Sequence, residues 1–581
     1  MSPSQVIVLA TPVFLALIAL EYAWGRWRGR DTYGLPDTLC SISLGLLSQV
    51  SAALAPLLTL GLYASVQAQA ALWRNDAFWL SPAGWGLALL AYDFLYYWLH
   101  RAGHEVALLW AAHVVHHQSE HYNLSTALRQ TSTGPLLAWV FYLPMALAGV
   151  PPLVFAVVAL VDLLYQFWVH TEHVGRLGGF DRWFCSPSNH RVHHAVNEGY
   201  VDRNYGGILM VWDRMFGTFV EETEPCVYGT RSPLRSCDPL WANLEVYGTL
   251  ARLSWQARSP LDKLRVWFKP PGWLPPELRD GAGPFDLSAV RRWDPPMAAR
   301  LRPLAGLLFL AHLGAAALFL WQVDALPAGT AWAALAGLVA ASWALGALLQ
   351  GRLGALPVLA LQAAALATVS SAAGWGTVHQ VAKPAALLLL MACVVHRLGV
   401  PALRAAPGRW LAGGLLLSLA GDVLLMLPGH FVGGLVAFLL AHLCYIAALR
   451  DGAGWLPRPL ALAATLAYGA AMLAFLFPTL PPALRMPVSA YVAVIALMAA
   501  QALGRAAVLG GRDAAAVGLG ALLFMASDSL LAVNRFALAL PLAPLWVLST
   551  YYGAQWLIAM HFRPQAQEKS SPALLGGATP R

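Results

Sequence analysis

About fifteen apolar runs, each close to the roughly twenty residues that cross a bilayer as a helix, leave this 581-residue chain one broad architecture. They lie near 5–25, 38–64, 80–99, 133–150 and 152–169, then near 303–321, 328–349, 355–372, 381–397, 410–427, 431–449, 457–477, 485–504, 514–533 and 540–561. Only 11% of the residues are charged, against about a quarter in a soluble domain. The pattern predicts an all-α polytopic integral membrane protein. The N-terminus places no basic residue before its first apolar run, and Arg26, Arg28 and Arg30 follow it. That order predicts an uncleaved first span rather than a signal peptide.

The net charge of +8 gathers at the ends of apolar runs, with no basic stripe interleaved with aromatics. It speaks for membrane topology, positive residues remaining in the cytoplasm, and against nucleic acid as a partner. With the N-terminus outside, alternation assigns Arg26–Arg30, Arg101 and the polar stretch 170–302 to the cytoplasmic side, and Arg74, Arg485 and Arg535 to the other. Six cysteines form no CxxC pair, so neither a disulfide framework nor a zinc knuckle is expected.

Up to residue 302 the chain is rich in His, Trp and Tyr; from about 351 it is Ala/Leu-rich with short loops. The expected domains are 1–302, two connecting helices within 303–350, an eight-span domain over 351–563, and a disordered tail over 564–581.

Four polar clusters interrupt the first part: HRAGHE from His100, HVVHH from His113, HTEH from His170 and NHRVHH from Asn189. Residues three and four apart share a helix face. His100 with His104, His113 with His116 and His117, and His190 with His193 and His194 can each aim at one point. One such histidine is most simply a solvated helix end, the reading given to His121. Ten histidines in four clusters of ligand spacing are not explained that way. Imidazole sets suit iron, zinc, copper or nickel, and eight or more ligands imply two ions. HExxH zinc chemistry fits poorly, since no Glu follows His100 directly.

YDFLYYWLHRAGHE, WAAHVVHHQSEHYNLSTALRQ, QFWVHTEH, PSNHRVHHAVNEGYVDRNYGGIL and WDRMFGTFVEE, over about 80–225, resemble the alkylglycerol monooxygenase family within the fatty acid hydroxylase/sterol desaturase superfamily. The resemblance implies a di-metal hydroxylase domain with two Fe ions and O2 as co-substrate. It also implies tetrahydropterin or another electron donor as a partner. The carbon beside a lipid ether oxygen would be hydroxylated, and the hemiacetal would collapse to a fatty aldehyde and a glycerol derivative. Carried over, the ligands are His100, His104, His113, His116, His117, His190, His193 and His194, with His170 as a ninth. Glu105 would orient His104. His173 is an extra histidine, and Asn189 stands where the animal enzymes would have another. No pterin site is identified.

The second part places Lys383, Asp422, His442, Asp528, Tyr551 and Gln555 within or at the ends of apolar runs. Such groups face protein interior or a cavity. Asp422 and Asp528 read either as an acid pair, one donating a proton while the other positions water, or as a structural network between helices. Lys383 and His442 would position these acids or contact substrate. AKPAALLLL, LAGDVLLML, GGLVAFLLAHLCYIAAL, LLFMASDSLLAVNRF and STYYGAQWLIAMH, over about 351–562, resemble the YhhN lysoplasmalogenase family, whose motif aspartates match Asp422 and Asp528. The resemblance implies hydrolysis of lysoplasmalogen vinyl ethers to fatty aldehydes, chemistry for which an acid pair is apt.

Together these readings give a bifunctional membrane enzyme of ether-lipid catabolism, its histidine site on the cytoplasmic side of a bacterial inner membrane. The alternative is a sterol, fatty acyl or carotenoid hydroxylase/desaturase with a non-catalytic lipid-binding or sensory second half. Metal storage or transport at the histidines is a further alternative.

Overall fold

The computed structural model describes residues 2–55, 60–279 and 285–565. The expected tail, beyond its first two residues, lies outside them. Helices carry the fold; the bridges Phe184–Leu209 and Ala195–Tyr228 are isolated. Contacts divide the chain into two compact units, Met1–Leu326 with Leu345–Arg352, and Pro327–Ala344 with Leu353–Arg581.

In the first unit, α1 (Pro3–Trp27) and α2 (Leu35–Ala53) precede four helices that position the histidines: α3 (Pro82–Glu105), α4 (Ala107–His117), α5 (Pro152–Trp168), which ends two residues before His170, and α6 (Pro187–His194). Ser81 caps α3 by accepting from Gly84 N at 3.2 Å, with Pro82 in the first turn. Both are standard helix-start chemistry. Val106 is extended (φ −121°, ψ 117°), so α3 stops and α4 starts one residue later. That sharp reversal brings the end of HRAGHE against HVVHH. α6 opens the same way, Ser186 accepting from Asn189 N and Pro187 in the first turn. All eight of its residues are buried despite their polarity.

Two buried carboxylates shape the segment after α6. Asp93, inside α3, accepts from Ile208 N at 2.7 Å, Leu209 N at 3.2 Å and Trp212 Nε1 at 2.8 Å. Asp213 accepts from Tyr205 N at 2.8 Å, Gly206 N at 2.7 Å and Thr218 Oγ1 at 2.6 Å. Together they fix the backbone around Tyr205. In this unit α7 (Pro239–Gln256) and α8 (Arg302–Gln322) follow.

The helix α9 (Ala328–Leu349) contributes residues to both units. The second unit continues with α10 (Ala355–Ala372), α11 (Gly376–Arg404), α12 (Ala406–Met426), α13 (Phe431–Leu449), α14 (Pro459–Leu476), α15 (Pro482–Leu509), α16 (Gly511–Ala532) and α17 (Ala543–His561). Close packing of α12 on α13 needs small residues. A Cβ on Gly414 would lie 2.4 Å from the Tyr445 ring, and one on Gly421 would lie 2.6 Å from the Phe438 ring.

Among the described residues, ten helices are long and apolar enough to cross a membrane. They correspond to ten of the apolar runs. Of the others, 38–64 does not form one helix, since α2 ends at Ala53 and the next described helix is Leu62–Ala70. The run 133–150 becomes three short pieces between Pro135 and Leu147, with Pro135 and Pro144 each in a first turn. Thirteen residues rise about 20 Å, short of the hydrocarbon thickness of about 30 Å. The helices α3 and α17 carry too many polar and aromatic residues to join the ten, and α5 is too short.

Candidate functional sites

The nine histidines expected as ligands fall into two buried groups, His100, His104, His113, His117 and His193 in one, His116, His170, His190 and His194 in the other. Within each group the candidate ligand atoms lie within 4.8 Å of one another. The grouping departs from the expectation that each sequence cluster aims at one point. His113 and His117 are four apart and go together, whereas His116 joins the other group; His190 and His194 pair likewise and leave His193 to the first. Neighbours on an α-helix point about 100° apart, so a cluster of three can serve two centres.

Second ring nitrogens set the first. Nδ1 of His100 donates to Tyr205 O at 2.8 Å, of His116 to Arg129 O at 3.0 Å, of His170 to Gln166 O at 2.8 Å and of His193 to Arg203 O at 3.0 Å. A proton held on Nδ1 leaves Nε2 as a lone pair. The Nε2 atoms converge. Nε2 atoms stand 3.1 Å apart for His100–His113 and His113–His117, and 3.2 Å apart for His117–His193. In the second group the spacings are 3.1 Å for His116–His170 and His170–His190, and 3.2 Å for His190–His194. Two nitrogens bound at right angles to one ion, each at about 2.1 Å, stand about 3 Å apart. His104 Nε2 is buried with no hydrogen-bond partner. The donor set thus fits two cations, one per group. Burial, then neighbouring imidazoles, lowers the pKa of His190, His193 and His194 well below the usual histidine value, so they sit ready as neutral ligands.

Glu105 does not orient His104. It bonds Arg101 Nε at 2.9 Å and is half exposed. The carboxylate beside His104 Nδ1 is Asp202, at 3.4 Å, held at a positive φ of 58°. His173 sits 3.2 Å from Thr32 Oγ1, outside both groups. His121 also lies outside them, against Gly34. Asn189 donates to Asp181 O and Phe184 O, anchoring the start of α6. Arg129, unremarked in the sequence, donates to Val115 O at 2.8 Å and Gln118 Oε1 at 3.3 Å while its carbonyl holds His116.

The second unit contains a cavity of about 540 Å³, lined by Lys383, Asp422 and Asp528 together. Lys383 Nζ stands 3.1 Å from Asp422 Oδ1, and Tyr551 donates to Asp422 Oδ2 at 2.6 Å. Tyr491 donates to Asp528 Oδ2, and His442 Nε2 lies 2.9 Å from the Tyr491 hydroxyl and 3.6 Å from Asp528. Gln555 accepts from Tyr445 at 2.9 Å and supports this layer. Asp422 is 1% exposed and charge-balanced by lysine, whereas Asp528 is 19% exposed and has a histidine and a phenol behind it. Tyr491 carried no distinguishing signal in the sequence.

Residues 85–218 match the fatty acid hydroxylase family and residues 378–562 the YhhN family. Alkylglycerol monooxygenase of Danio rerio is 41% identical, over 50% of this chain and 66% of its own length. Its Xenopus tropicalis counterpart is 39% identical, over 52% and 68%. Lysoplasmalogenase of Mycobacterium tuberculosis is 35% identical, over 32% of this chain and 72% of its own. The chain thus spans just under two thirds of the Danio rerio protein. No solved structure matches it.

Proposed function

Because the chain belongs to the alkylglycerol monooxygenase family and carries a lysoplasmalogenase-family domain of YhhN type, we propose that it breaks down ether lipids by two routes. The first unit hydroxylates alkylglycerol ethers and the second hydrolyses lysoplasmalogen vinyl ethers; both release a fatty aldehyde. The observation that carries the first route is the five-and-four division of nine imidazoles.

His100, His104, His113, His117 and His193 would hold one iron, and His116, His170, His190 and His194 the other. Bound iron supplies the O2 activation that hydroxylation needs, with electrons from tetrahydropterin or another donor. The chain's own part is to hold four Nδ1 protons on backbone carbonyls, which keeps Nε2 free and the rings fixed. Trp110, with its ring 5.0 Å from His104, and Tyr122, 5.3 Å from His194, add aromatic walls that restrict water. Hydroxylation beside the ether oxygen yields a hemiacetal, which collapses to aldehyde and alcohol.

In the second route Asp528 donates a proton to the outer vinyl carbon. Water held by Asp422 then adds to the carbon bearing oxygen. The resulting hemiacetal splits into aldehyde and the chain-free glycerol phosphodiester, with one water consumed and no redox change. Tyr491 and His442 position Asp528, as Lys383 and Tyr551 position Asp422. We place the protein in a bacterial inner membrane with the histidine site on the cytoplasmic side, in keeping with its arginine distribution. The working domains are 1–302 and 351–563, joined by 303–350.

The test uses membranes containing the full chain, supplied with a 1-O-alkylglycerol, O2 and tetrahydropterin. Long-chain aldehyde is quantified by mass spectrometry. Aldehyde that requires O2, reductant and His117 supports the reading. Its absence from iron-loaded protein overturns this pairing of substrate and reductant.

A further inference from the structure

The cavity of the second unit carries a cation that vinyl ether hydrolysis does not use. Arg535 lines it, seven residues beyond Asp528, where α16 gives way to the wide helical turn Val533–Ala537. Asn534 Oδ1 holds that turn by accepting from Leu540 N at 2.9 Å. The Arg535 guanidinium rests 4.0 Å from the Phe431 ring centroid and 5.8 Å from that of Phe536. Such seating on aromatic faces fixes the plane of a guanidinium without consuming its hydrogen-bond donors. Lys383, on the same cavity, is already paired with Asp422 at 3.1 Å. Among the described residues, no carboxylate lies within 4.0 Å of Arg535.

We propose that Arg535 is the phosphate-binding residue of this cavity, which makes the second unit selective for ether lipids that carry a glycerol phosphate over neutral alkenylglycerols. The proposal rests on the vinyl ether reading and adds a specificity determinant to it. Spacing supports it. Seven helical residues rise about 10 Å. In a lysoplasmalogen the outer vinyl carbon and the phosphorus are separated by seven bonds, about 9 Å when extended at ordinary single-bond lengths. A lipid whose vinyl carbon meets Asp528 can therefore reach Arg535 with its phosphate. Exposure agrees, since Arg535 is exposed at the rim whereas Asp422 is buried deep in the same cavity. Leu435, Phe438, Met472 and Ile495 provide apolar wall for the chain. Guanidinium is the side chain best matched to phosphate, forming paired charge-assisted hydrogen bonds.

Membranes with the full chain, carrying Arg535→Gln or Arg535→Lys, are assayed for aldehyde release from a 1-O-alkenyl-glycerophosphoethanolamine and from the matching 1-O-alkenylglycerol. For Arg535→Gln, kcat/KM on the phospholipid falls roughly ten- to a hundredfold, mainly through KM, with the alkenylglycerol rate unchanged. Arg535→Lys recovers part of the loss. Equal losses on both substrates, or no loss on either, overturn the proposal and leave the hydrolase reading intact.

A binding arm keeps the two readings separable. Thermal stabilisation of detergent-solubilised protein is measured with 1-O-hexadecylglycerol 3-phosphate, with 1-O-hexadecylglycerol and with inorganic phosphate. The ether phosphate should stabilise the unmutated protein more than Arg535→Gln, with no difference for the neutral ether and no effect of phosphate alone. If that difference appears while no vinyl ether is hydrolysed, the site stands and the hydrolase reading falls. If inorganic phosphate reproduces the difference, an anion site unconnected with the lipid replaces the proposal.

Discussion

Nine imidazoles gather in two groups in the first unit, with the Asp202 carboxylate beside His104 alone, whereas in the second two carboxylates are met by a lysine, a histidine and two tyrosines from the same chain. The contrast is one of completeness. His116 and His170 both hold Nδ1 on a carbonyl, so their Nε2 lone pairs face each other at 3.1 Å and repel unless a cation lies between them; the first site calls for a partner from outside the chain. The second supplies its own counter-charges and donors. Under the proposed hydrolysis it needs only substrate and water.

Removal of the metal should therefore separate the two. His117→Ala, or exhaustive chelation, is expected to reduce oxidative aldehyde release to background and to lower bound iron, measured by mass spectrometry of the metal. Vinyl ether hydrolysis in the same membranes should remain within about twofold. A parallel loss of hydrolysis would break the comparison. Asp422→Asn is the converse, lowering hydrolysis by roughly 10²–10⁴-fold, the usual contribution of general acid–base catalysis, with O2-dependent turnover and iron content unchanged.

Asp213→Ala sharpens the comparison from the side of the protein scaffold. It frees the Tyr205 and Gly206 amides and loosens the carbonyl that holds His100. Metal affinity should weaken by about ten- to a hundredfold, read as faster iron loss to a competing chelator, with hydrolysis unaltered.

The smallest effect concerns pH. Folded pKa values of His190, His193 and His194 lie well below the unfolded value near 6.5. Below that value the unfolded chain takes up protons that the folded chain refuses. Stability of the metal-free protein is therefore full above about pH 6.5 and declines as pH falls. Thermal unfolding of the chelated protein between pH 7.5 and 5 checks the slope, and loaded protein should show a later decline because the metal competes with the protons.

The histidines were legible because ligand spacing is local, HxxxH and HxxHH both being short-range helical patterns. Which of the two groups each joins was not. His116 and His117 are adjacent in sequence yet belong to different groups, and only the placement of α5 and α6 decides that. The carbonyls of Tyr205, Gln166, Arg129 and Arg203 were equally hidden, since every residue has one and only the fold selects which faces an imidazole. Glu105 misled for a related reason. It follows a candidate ligand in sequence, but its helical position turns it toward Arg101. The aspartates of the second half were legible because charge within an apolar run is costly. Tyr491 was not, because a tyrosine in such a run is unremarkable until Asp528 is beside it.

What the sequence determined by itself is the helical membrane class, the two-part organisation and the residue types of both sites, since apolar length and i, i+3, i+4 spacing are properties of a chain read locally. What only the tertiary structure decided is partnership: the five-and-four division, the carbonyls behind the rings, the lysine on one aspartate alone, and the arginine on the rim of the same cavity. These depend on where segments far apart in the chain come to rest, and helix packing sets that, not spacing.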